Sequence, residues 1–155
     1  MRSGVRIGVD VGRARIGVSR SDPDGMLALP VETVARVDDG GDVARIQALV
    51  TEFGAAEIIV GLPLSLSGAH TASTDDAIEF ASRLSNACAL PVRLVDERLS
   101  TVSAQSALHA SGRTTRNSRS VVDQAAATVI LQHALDTERS SGRPPGELVS
   151  TSPAN

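Results

Sequence analysis

Apolar and other residues alternate over Val5–Asp10 and again over Arg15–Arg20, with a Val-Gly-Arg-Ala step between. A period of two marks a strand with one buried face, so the pattern predicts a hairpin. Asp22-Pro23-Asp24-Gly25 is a turn signal. Met26 to Val34, interrupted by Pro30, reads as a third strand at a sheet edge, where a missing N–H is tolerated. The period then lengthens: Val43, Ile46, Leu49 and Val50 recur at helical spacing, and Gly54 supplies a stop. The run Glu57-Ile58-Ile59-Val60-Gly61 suits a buried parallel strand. Leu62 to Gly68 reads as a loop. A helix from about Ser73 to Asn86 follows, then a strand over Val92–Asp96, then helices near 101–110 and 119–137 separated by a Gly-Arg-Thr-Thr-Arg-Asn loop. From Arg139 on, Ser, Gly and Pro dominate, which predicts a flexible tail over 139–155 after one domain over 1–138. The order β-β-β-α-β-α-β-α-α predicts an α/β domain with a mixed five-stranded sheet flanked by helices.

Length and composition narrow the chemistry. A chain of 155 residues is sized for one domain. No apolar run approaches the ~20 residues that cross a bilayer, and Met1 to Arg6 has no apolar leader core, so the expectation is a cytoplasmic protein with no membrane partner. A single cysteine, Cys88, excludes an internal disulfide and a cysteine-rich zinc site. Two Phe with no Tyr or Trp leave almost no aromatic surface for nucleobase stacking. All 15 basic residues are Arg. They concentrate in 1–20 (five Arg, one Asp) and 93–119 (five Arg, two acids), within a chain of net charge −3. A net-acidic chain is a poor general polyanion binder, but two basic segments on one face would engage phosphates through Arg forks.

Three acids from separate elements stand out. Asp10 ends the first strand before a Gly turn, where an Asp also serves as a turn residue. Asp96-Glu97-Arg98 ends the last strand, at the carboxyl edge where open α/β sheets place ligands. Asp123 shares a helix face with Ala126, Ala127 and Ile130, although Ser120-Val121-Val122-Asp123 also has the spacing of a helix cap. Oxygen donors without His or Cys partners suit a hard cation such as Mg²⁺ or Mn²⁺. His70, His109 and His133 are isolated, and neither a dinucleotide fingerprint nor a P-loop is present.

Four segments in order resemble the motifs of the YqgF family of RNase H-like nucleases: 8–19 (GVDVGRARIGVS), 59–68 (IVGLPLSLSG), 95–101 (VDERLST) and 122–127 (VDQAAA). The resemblance spans about residues 4–137. It departs at Ala14, where the family has Lys, and at Ser65, where it has Asn. It implies an RNase H-like fold and a catalytic, metal-binding triad of Asp10, Glu97 and Asp123 holding one or two Mg²⁺ or Mn²⁺ ions. Nucleic-acid contacts fall on Arg15, Arg98, Ser100, Thr101, Arg113, Arg116 and Arg119. The implied activity is 5′-end maturation of pre-16S ribosomal RNA, with ribosomal precursor particles as partners; the alternative is resolution of Holliday junctions in branched DNA, by a monomer or a homodimer. A non-catalytic nucleic-acid-binding module would lack one of the acids, and all three are present. A nucleotide-binding domain of the actin or hexokinase type needs a second lobe that 155 residues do not supply.

Overall fold

The computed structural model describes residues 2–97 and 117–149. Its elements are β1 (Arg6–Val11), β2 (Arg15–Ser21), β3 (Ala28–Ala35), α1 (Gly41–Phe53), β4 (Glu57–Leu62), α2 (Ala72–Cys88), β5 (Val92–Asp96), α3 (Asn117–Ser141) and β6 (Glu147–Leu148). The sheet runs β3-β2-β1-β4-β5-β6. The β1-β2-β3 meander is antiparallel, β1-β4 and β4-β5 are parallel, and β6 pairs antiparallel with β5. The expected α/β architecture is present, with a sixth strand beyond the five expected. That strand comes from the segment read as a flexible tail: α3 continues through Ser141, and Glu147–Leu148 lies beside Arg93–Leu94. Two residues without an apolar period leave no strand signal in sequence. The helix expected near 101–110 lies outside the described residues.

Strand alternation sorts the side chains into two layers. Ile7 and Val9 of β1, Ile58 and Val60 of β4, and Val92 of β5 pack with Ile46 and Leu49 of α1 and Phe80 and Leu84 of α2. The opposite face carries Ile59 and Val95, which pack with Ile130, Leu131, Ala134 and Leu135 of α3. Gly8 and Asp10 have the parity of this second face, as do Arg15, Gly17 and Ser19 on β2, Gly61 on β4 and Glu97 just beyond β5. The sheet and α3 thus bring together on one side the residues that sequence reading scattered over three motifs.

Helix α3 lies close to the sheet because small residues meet there. A Cβ on Gly8 would press on Leu131 Cβ and the Ala127 carbonyl, and one on Gly17 would collide with the Asp123 main chain. The Ser19 hydroxyl donates to the Ala127 carbonyl at 2.8 Å, and Ala127 is fully buried. At the far end of the sheet an ion network ties chain end to core. Arg2 bonds Glu57 at 2.9 Å and Glu138 at 2.7 Å, Arg93 bonds Glu57 at 2.9 Å, and Arg6 lies 3.4 Å from Glu138.

Candidate active site

Asp10 is the fifth residue of β1, facing α3. Glu97 follows β5, its N–H donating to the Leu62 carbonyl of β4 at 3.3 Å. β1 and β5 are not neighbours, since β4 lies between them. Two strand spacings are about 10 Å, too far for adjacent carboxyls unless the intervening strand is bare. Gly61 supplies the bare position. It pairs with Val95, lies one step beyond the Val9–Val60 pair, and has Glu97 Oε2 where its Cβ would stand. Glu97 therefore reaches Asp10 across Gly61, and the two carboxyl groups share a hydrogen bond. The second sequence motif carries this glycine, but its role becomes visible only when the strand order is known.

The pair is half-buried, and burial is the main reason both acids hold their protons above the usual carboxylate range. Glu97 is raised next by the Asp10 charge, by their hydrogen bond and by Asp96; Asp10 is raised next by the charge of Asp123 and lowered by the bond from Glu97. Both acids are thus held toward their protonated forms, Glu97 the further of the two. Glu97 Oε2 is buried with no hydrogen-bond partner.

Asp123 is six residues into α3, beyond the first turn, so the capping role that Ser120–Asp123 permits is not the one it plays. Its Oδ2 accepts from Arg15 Nε at 2.7 Å, with the Arg15 side chain 40% exposed and that of Asp123 18%. Arg15, expected on phosphates, is therefore bound to one of the three acids. Arg119 lies in the first turn of α3. Arg98, Ser100, Thr101, Arg113 and Arg116 lie outside the described residues. His70 and His133 are exposed. Cys88 ends α2, where burial pushes its thiol up, away from reactivity.

Among the described residues, no three His, Cys, Asp or Glu side chains close on a point that would hold a metal ion. The donor chemistry nonetheless fits a hard divalent cation: only carboxylates, two of them raised by burial, and one buried oxygen lacking a partner. A cation would be held by these carboxylates, and on the third side Asp123 Oδ2 is engaged by Arg15.

The fold is RNase H-like. The chain superposes on a solved structure described as "T. thermophilus RuvC in complex with Holliday junction substrate" with a TM-score of 0.55, covering 89% of this chain and 97% of that one at 18% identity. A second structure, of Thermus thermophilus RuvC, gives a TM-score of 0.50. At this identity the likeness concerns the fold. The sequence goes further: residues 4–137 match the family described as "RuvX: Holliday junction resolvase", and the chain belongs to that family. Curated relatives bear the name "Putative pre-16S rRNA nuclease". One from Leifsonia xyli is 65% identical over 149 residues, covering 96% of each chain. One from Thermobifida fusca is 56% identical, covering 99% of this chain and 100% of its own.

Proposed function

We propose that the chain is a divalent-metal-dependent nuclease that hydrolyses phosphodiester bonds in 5′-end maturation of pre-16S ribosomal RNA. The observation that carries this is Glu97 reaching toward Asp10 across the bare Gly61, with the Asp123 charge acting on Asp10, on one face of an RNase H-like sheet. The names of the full-length relatives support the RNA substrate. Such work belongs in the cytoplasm, on precursor particles.

Asp10, Glu97 and Asp123 would hold Mg²⁺ or Mn²⁺. When bound, the cation supplies Lewis-acid polarisation of the scissile phosphate and a lowered pKa for the attacking water. Asp10 lies on β1, one of the two central strands, which supports a role for it between the two sides of the site. Glu97 would hold the cation as an unprotonated carboxylate. Arg15, at the rim, binds a substrate phosphate through its planar fork. With scarcely any aromatic surface, substrate selection falls to shape and phosphate placement. The test is a side-by-side cleavage of a labelled 5′-extended 16S precursor and a labelled four-way DNA junction, under Mg²⁺ and under Mn²⁺. Cleavage of the RNA at its mature 5′ end, with the junction intact, supports the reading; resolution of the junction alone replaces it with the resolvase activity for which the family is named.

A further inference from the structure

Asp123 is pinned at two places of different stiffness. Its main chain rests against Gly17, where even a Cβ would collide with the Asp123 carbonyl. Its side chain is held by an exposed cation on the same strand, Arg15, two residues away from that contact. The Asp123 charge acts on Asp10, yet no three of the described acids close on a metal-sized point while the pair with Arg15 is made. Once released from Arg15, the Asp123 side chain is free to rotate while its main chain stays against Gly17. Arg15 is also reachable from solvent by a phosphate, a better partner for a guanidinium fork than a single carboxylate oxygen.

We infer that Arg15 is a positioning residue that holds Asp123 out of the metal site until a substrate phosphate takes the guanidinium, so that backbone binding and site closure are one event. This rests on the metal-site reading above. In the absence of nucleic acid the cation and Arg15 compete for the same carboxylate, and metal affinity is reduced by the cost of breaking their charge-assisted hydrogen bond. With a phosphate backbone in place that cost is already met, and the two ligands bind with positive coupling. The device would keep a free nuclease poorly loaded with metal.

The test is calorimetric titration of Mn²⁺ into the full chain, with and without a 2′-O-methyl RNA strand that cannot be cleaved. Wild type, Arg15→Gln, Arg13→Gln and Asp10→Asn are compared. Arg13 is exposed and close in sequence, and it controls for loss of a nearby positive charge. Melting in EDTA confirms that each variant is folded. Arg15→Gln is expected to bind Mn²⁺ alone about tenfold more tightly than wild type, as for loss of one competing charge-assisted hydrogen bond, and to show a smaller enhancement by RNA. A purely structural arginine would give unchanged or weaker binding on removal. Equal affinity in wild type and Arg15→Gln, or an equal gain in Arg13→Gln, overturns the inference while leaving the metal site standing, provided that Asp10→Asn abolishes binding. If Mn²⁺ binds neither wild type nor Arg15→Gln, or binds Asp10→Asn as well as wild type, the metal-site reading fails and takes the inference with it.

Discussion

Gly17 of β2 touches the main-chain carbonyl of Asp123 so closely that the helix carrying the third acid rests on a backbone with no side chain. Gly17 also pairs with Asp10 across the β1–β2 ladder, so one glycine sets the separation of two of the three acids. The obstacle to a Cβ here is backbone, which cannot rotate away. Gly17→Ala is expected to lift α3, destabilise the fold by about 1–3 kcal/mol as overpacking does, and lower cleavage beyond what that loss explains. Urea unfolding and single-turnover rates measure the two effects; an unchanged rate in a stably folded variant would show that the helix contact does not position Asp123.

Gly61 presents the contrasting case. A Cβ there meets the end of Glu97 and, at 2.7 Å, the Cδ1 of Ile130, both at the ends of flexible side chains. Gly61→Ala is expected to leave a folded protein with modest loss of stability but to push Glu97 off Asp10. The readout is Mn²⁺ affinity, which should fall while the melting temperature in EDTA moves by a few degrees at most.

The raised acids make a signed pH dependence. Glu97 is held above its ordinary value of 4.5, near 8, so the native state binds the proton more tightly than the unfolded chain does. Its contribution to stability is complete below about 4.5 and is lost as pH rises through the folded value. Glu97→Gln keeps a neutral hydrogen-bonding group at every pH. In EDTA, the melting temperature of Glu97→Gln minus that of wild type is expected to increase from pH 5 to pH 8. Groups remote from the pair contribute equally to both proteins and cancel in this difference, while Asp10 responds together with Glu97; a flat difference would mean that the site does not hold Glu97 above its ordinary value.

Glu138 has the opposite sign. Burial pushes its carboxyl up, but hydrogen bonds from the Arg2 side chain and main chain, and the Arg2 and Arg6 charges, outweigh it and leave it near 2. Its stabilisation is present above the ordinary value of 4.5 and lost as pH falls toward about 2. Glu138→Ala would strand the buried Arg6, whose Nη1 already lacks a partner. The expected cost is about 3–5 kcal/mol by chemical denaturation, because an uncompensated buried charge remains. Unchanged metal affinity in the folded fraction would separate this network from the site.

What was legible in sequence follows the range of each interaction. Strands with a strict period, such as Val5–Asp10, and helices with an apolar stripe, such as Val43 to Val50, declare themselves locally, and both lie where expected. The acids were legible as residues ending strands or lining a helix face, and the motif resemblance selected Glu97 over Asp96. The bridge over Gly61 was hidden, because it depends on β4 lying between β1 and β5. The Arg2–Glu138 pair joins residues 136 apart, and no local pattern announces it. The Arg15–Asp123 pair was hidden for the same reason: each residue had a sensible role alone, on phosphate and on metal, and only the packing of α3 on β2 showed that they hold each other.

Catalysis at one metal-dependent site needs all three carboxylates. The most direct measurement is single-turnover cleavage of a 5′-extended 16S precursor at saturating Mg²⁺, by wild type and by Asp10→Asn, Glu97→Gln and Asp123→Asn, each checked for native melting in EDTA. All three variants are expected to lose about 100-fold or more in rate while remaining folded, and wild type is expected to be inactive in EDTA. Wild-type cleavage that persists in EDTA, or a folded single variant that cleaves at the wild-type rate, would contradict it.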